Sequence, residues 1–140
     1  MSRDFLLDGS ATAPATMLLA HGAGAGMESS SLSAMAGAIA SAGLLVARFE
    51  FAYMAARRTM EGRKPPPRAE TLIAEYRSAV AELAATTPLI IGGKSMGGRV
   101  ASMVADELFD AGKIAGLVCL GYRFIRQAVP NSCAQHISSF

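Results

Sequence analysis

The residue pattern predicts a three-layer α/β/α sandwich built on a mostly parallel sheet. Short, fully apolar runs alternate with stretches of helical period, and glycine punctuates their ends. Hydrophobic residues make up 51% of the 140-residue chain and aromatic residues only 6%. Apolar runs without polar alternation suit strands buried on both faces, and strand–helix alternation suits right-handed crossovers that put helices on either side of the sheet. One core suffices, since a domain of this size buries roughly two thirds of the surface its unfolded chain exposes.

Residues 15 to 20 form the first predicted strand and open into His21-Gly22-Ala23-Gly24-Ala25-Gly26. Ser29, Ser30 and Ser31 offer N-caps for a helix over residues 32 to 42, with Leu32, Met35, Ala36 and Ile39 on one face and Gly43 as its stop. Leu44 to Phe49 reads as the second strand. Residues 52 to 68 are expected to be a loop, because Pro65, Pro66 and Pro67 suit neither a helix interior nor a central strand. Glu70 to Ala85 regains helical period, with Leu72, Ile73, Tyr76, Val80 and Leu83 on one stripe. A third strand over Pro88 to Gly92, a third helix over Met96 to Leu108 and a fourth strand over Ile114 to Leu120 complete the alternation.

A net charge of +2 gives no concentrated basic face, so neither nucleic acid nor an anionic membrane is expected as a partner. Arg57, Arg58, Arg63, Lys64 and Arg68 are the exception; they read first as a solvated loop and second as an anion-attracting rim near a substrate entrance. Cys119 and Cys133 make no disulfide framework, and no stretch approaches the ~18 apolar residues of a membrane span. A cytoplasmic location is the expectation. No metal site and no cofactor are expected.

Gly93-Lys94-Ser95-Met96-Gly97 matches G-x-S-x-G directly between a predicted strand and a predicted helix. There the motif has a mechanical meaning. The turn is so tight that Gly93 and Gly97 are needed to avoid clashes, and Ser95 would stand exposed with the Met96 N–H and the helix N-terminus facing a developing oxyanion. The blander reading is a serine that merely caps the helix. After the first strand, His21-Gly22-Ala23-Gly24 occupies the place of a loop that donates a backbone N–H to the same oxyanion, with His21 orienting that loop. A Walker A loop is excluded by Pro88, where glycine would be required. A dinucleotide site using Gly22, Gly24 and Gly26, with Glu50 on a ribose, stays as an alternative, although Met27 stands where its last glycine belongs.

Four linked segments, Leu19 to Met27, Arg48 to Phe51, Tyr53 to Ala55 and Gly92 to Arg99, together resemble a family of bacterial α/β-hydrolases. That family is related to dienelactone hydrolases and to the hydrolase-like domain of a subunit of the non-specific-lethal histone acetyltransferase complex. The resemblance covers residues 1 to 122 and implies an incomplete α/β-hydrolase fold with Ser95 as nucleophile. Met27 or a neighbour in the first loop, and Met96, would supply the oxyanion donors. It implies esterase-like acyl transfer on a small-molecule ester or thioester. Ala52 departs from it, standing where the family usually has proline, and implies a looser entry to the following loop.

In that fold the acid and then the histidine follow the serine in sequence. After Asp110 the chain has no Asp or Glu, and its only later histidine is His136, inside residues 123 to 140, which carry no strand–helix pattern. A truncated, inactive hydrolase is therefore expected, with 123–140 as a non-family tail. His136 folding back as the base is a lesser alternative. One added C after the Tyr122 codon can turn the tail into Pro-Phe-His-Pro-Pro-Gly-Ser-Pro-Glu, a family-like continuation, so a frameshift is the expected cause, which sequencing of the gene decides. The exposed fourth strand would favour self-association. A non-catalytic hydrolase-like binding module is the competing function.

Overall fold

The computed structural model describes residues 4–57 and 67–121. Its five-stranded sheet comprises β1 (Leu6–Asp8), β2 (Thr16–Ala20), β3 (Leu45–Phe49), β4 (Leu89–Lys94) and β5 (Gly116–Leu120), in the order β1-β3-β2-β4-β5. All neighbours are parallel except β1, which runs antiparallel to β3. The helices are α1 (Ser30–Ser41), α2 (Ala52–Ala56), α3 (Ala69–Leu83) and α4 (Met96–Asp110).

The three layers follow from strand alternation, since successive side chains point to opposite faces. On β2, Met17 and Leu19 pack with Leu32 and Ala36 of α1, while Leu18 and Ala20 join Leu72, Tyr76, Val100 and Val104 of α3 and α4 on the other side. Being apolar on both faces is what the uninterrupted run at 17–20 records.

Three elements differ from the sequence reading. β1 is an extra strand, only three residues long, whose Asp8 pairs with the Arg48 side chain of β3 at 3.0 Å. The first part of the expected loop contains α2, a five-residue helix. Helix α1 starts earlier than expected because Ser29 is the N-cap, its Oγ accepting the Leu32 N–H at 3.2 Å. Of the basic segment, Arg58, Arg63 and Lys64 lie outside the described residues, as do Cys133 and residues 123–140. Arg57 lies over the Tyr53 ring, 5.2 Å from its centroid. Cys119 is buried. No helix among the described residues is long and apolar enough to cross a membrane.

This order places the site. The chain leaves β2 towards β3 on one side and later returns to β4 on the other, so the C-terminal ends of β2 and β4 flank a reversal of strand order. Crevices form at such points. Ala20 and Gly93 are register partners there, which brings the loop after β2 beside the turn after β4.

Candidate active site

Ser95 is the single residue between β4 and α4, and it has φ 52° and ψ −114°. For a residue with a side chain this backbone costs of order 1–3 kcal/mol, so it persists only where its surroundings enforce it. Ser95 N–H donates to Leu120 O at 2.8 Å, and Arg99 N–H donates to Ser95 O at 3.0 Å, which fixes the turn to β5 and to the first turn of α4. The side chain is exposed and makes no capping hydrogen bond to the helix. The capping alternative is thus not what the fold uses.

The glycines around Ser95 are steric requirements. A Cβ on Gly93 would strike the backbone of Gly97 and come 2.7 Å from Gly98 N; one on Gly97 would come 2.7 Å from Ala20 O and 2.5 Å from His21 O. The first turn of α4 therefore rests directly on the end of β2. Gly22 lies beside the turn, where a Cβ would be 3.7 Å from Ser95 Cβ. Gly24 is exposed, with nothing near the place of its missing side chain.

His21 is fully buried. Its Nε2 accepts the Phe51 N–H at 3.1 Å, so Nδ1 carries the proton and donates to Gly22 O at 2.6 Å. Both ring nitrogens are engaged in holding the loop to the end of β3. Met27 is also buried, and its N–H donates to Glu50 Oε2 at 3.0 Å while its carbonyl accepts from Arg48 Nη1 at 2.8 Å. A carboxylate within the protein thus already holds the Met27 amide. The carboxylate of Glu50, the candidate ribose ligand, is buried against the loop, and a Cβ on Gly26 would collide with it.

Arg48, Glu50 and Tyr53 form a part of the site that motif reading alone passes over. Arg48 adds a 2.7 Å bond to Ser33 Oγ, so a single guanidinium joins β1, the loop and α1. Tyr53 Oη donates to Ala23 O at 3.2 Å and also lies 3.7 Å from Met96 Sδ, spanning the loop and the turn. Burial raises the Tyr53 pKa above that of an ordinary phenol, Glu75 adds to the rise, and the Arg57 cation opposes it. The detectable signal was a charged pair, Arg48 and Glu50, flanking Phe49 at the end of an otherwise apolar strand, where burial demands partners.

Ser95, Met96, Gly22, Gly93, Gly97 and His21 therefore converge. Among the described residues His21 is the only histidine, so none stands ready as a base for Ser95. Nor do the described residues contain a group of three or more His, Cys, Asp or Glu able to hold a metal ion.

A family profile described as alpha/beta hydrolase domain matches residues 13–138, running on through the stretch after Tyr122 that the sequence reading sets apart. No curated protein matches the chain. Several solved structures share the fold. XC6422 from Xanthomonas campestris, described as an α/β serine hydrolase without a lid, superposes with a TM-score of 0.67 at 20% identity, over 91% of this chain and 60% of its own. YbtT, the type II thioesterase of the yersiniabactin pathway, gives 0.61 at 22% identity over 85% and 47%. Esterase Est22 gives 0.59 at 21% identity over 90% and 40%. The chain thus spans 40–60% of the length of these structures.

Proposed function

The chain belongs to the alpha/beta hydrolase domain family, and on that premise we propose that Ser95 is the nucleophile of an acyl-transfer site for a small-molecule ester or thioester. The observation that carries this is the backbone of Ser95: a non-glycine residue held at positive φ, with its hydroxyl exposed and unused as a helix cap. Strain of that kind is retained where it aims a side chain. Ser95 Oγ attacks the acyl carbonyl, and the resulting oxyanion takes hydrogen bonds from the Met96 N–H and from a backbone N–H of the Ala23–Gly24 stretch. Met27 supports that stretch through Glu50 and Arg48. The esterase and thioesterase neighbours support the choice of substrate class.

The proton of Ser95 needs a base, and a carboxylate must orient that base. His21 cannot serve, with both nitrogens engaged in the loop. On this reading the base and acid are supplied outside the described residues, and Ser95 reacts slowly wherever they are not in place. Fluorophosphonate labelling followed by intact-mass analysis tests it. The expected result is slow labelling that vanishes in Ser95→Ala; labelling that persists in that variant rejects Ser95 as nucleophile. A folded chain that takes up no probe at all supports the second reading, a non-catalytic hydrolase-like module, which the lack of a base among the described residues favours.

Self-association belongs to the same proposal. β5 has a strand neighbour on one side only among the described residues. Beside it, Met17, Met35, Ile39, Leu44, Ile90 and Val118 line an almost wholly apolar cavity of about 290 Å3. Unpaired edges next to apolar surface recruit further strands, and here the partner is β5 of a second copy. Sedimentation should show a concentration-dependent dimer that Val118→Lys shifts to monomer. A sharp monomer for the parent at all concentrations rules it out.

A further inference from the structure

Tyr76 lies on α3, on the opposite face of the sheet from α1, and is fully buried. Its hydroxyl reaches the backbone of two strands. Oη accepts the Gly92 N–H at 3.0 Å and donates to Gly92 O at 2.6 Å, with Leu18 O at 3.0 Å as a second acceptor. Because Leu19 and Gly92 are register partners, Leu18 O and Gly92 N are the groups that a parallel ladder brings opposite each other. The hydroxyl sits at that junction.

The junction lies directly beneath the candidate active site. Leu18 precedes His21 by three residues on β2, and Gly92 precedes Ser95 by three on β4. At a rise of roughly 3.3 Å per residue, both contacts lie about 10 Å below the loop and the turn that form the two halves of the site. The ring itself is fixed, edge-on to Phe49 with centroids 5.0 Å apart and tilted against Phe51 at 6.5 Å. Burial drives the hydroxyl's pKa far above the ordinary phenol value, which keeps its proton in place across the neutral range.

We propose that Tyr76 is a positioning residue for this site: its hydroxyl sets the separation of β2 and β4, and through them the distance between the Ala23–Gly24 amides and Ser95. The inference rests on the reading of Ser95 as the reacting centre. Placement of oxyanion donors matters on a scale of about 1 Å, so a spacer touching both supporting strands reaches the chemistry without touching substrate.

Tyr76→Phe keeps the ring and removes only the hydroxyl. In 15N-labelled protein we expect roughly tenfold faster hydrogen exchange at Gly92, the scale of one lost hydrogen bond, together with moved amide signals at Ala23, Gly24, Ser95 and Met96. Leu72→Ala, on the same helix and in the same core, is the control, lowering the melting temperature while leaving those four signals in place. Unchanged Gly92 exchange overturns the proposal, and so do site signals that move no further in Tyr76→Phe than in the control. Should Tyr76→Phe fail to fold, the parent protein decides: a slowly exchanging Tyr76 hydroxyl proton with a through-space contact to Gly92 N–H is expected, and its absence refutes the spacer. No readout requires turnover, so a chain whose Ser95 takes no probe still tests Tyr76.

Discussion

Gly97 and Gly37 both lie inside helices, and the structure assigns opposite signs to replacing them with alanine. Helix propensity alone favours alanine at both sites by up to about 1 kcal/mol. At Gly37, exposed on α1 with nothing within 4 Å of the added methyl, that gain should appear, at about 0.5–1 kcal/mol. At Gly97 the methyl would lie 2.7 Å from Ala20 O and 2.5 Å from His21 O. Those are backbone atoms at the end of a strand paired on both sides, so no flexible side chain can give way. Overpacking costs about 1–3 kcal/mol, and rigid backbone atoms at these distances put this site in the upper part, about 2–3, so after a propensity gain of up to about 1 kcal/mol the net loss is about 1–2 kcal/mol. Urea unfolding at constant slope measures both, and the two variants should differ by about 2–3 kcal/mol. A Gly97→Ala protein as stable as its parent would refute the claim that α4 is pressed onto β2, and with it the mechanical account of the turn at Ser95.

Glu50→Gln should lower stability by about 1–2 kcal/mol, because a buried charge-assisted bond to Met27 N–H becomes a neutral one. Hydrogen exchange at Met27 should accelerate, and unaltered exchange there would show that the carboxylate does not hold the loop. Arg77 and Glu107 form a forked, solvent-exposed pair with contacts of 2.6–3.0 Å, and the guanidinium's hydrogen bonds hold the Glu107 carboxyl below the usual carboxylate range. A carboxyl depressed in the folded state stabilises above its unfolded pKa and loses that contribution as pH falls through the folded value. The melting-temperature gap between parent and Arg77→Ala should therefore be small at neutral pH, and should close on acidification or with added salt. A gap that widens in acid would mean the pair is not the source.

The sandwich was legible because its central strands are apolar on both faces, a pattern that few other environments tolerate. The site was half legible. A serine between glycines announces itself only when a strand precedes it and a helix follows, and residues 89–110 supply both. β1 was hidden because three residues offer no periodicity, and its attachment runs through a side chain, Arg48 to Asp8. The partner of the Met27 amide was hidden for a related reason. That amide is committed to Glu50, 23 residues away in sequence, and local pattern carries no information about such a partner.

Ala52 shows how far one position can be misread without its neighbours. Against the family's usual proline, alanine implied a looser chain, because it restores backbone freedom. In the fold Ala52 is the first residue of α2, where proline is favoured because the N–H it lacks has no partner within the helix. Alanine has that N–H, and Glu75 Oε1 accepts it at 2.7 Å. The bond ties α2 to α3. The same α2 carries Tyr53, whose hydroxyl contacts Ala23 and Met96, and α3 carries Tyr76, whose hydroxyl joins β2 to β4. The two tyrosines that brace the Ser95 turn thus stand on helices joined to each other by the hydrogen bond that a proline could not make.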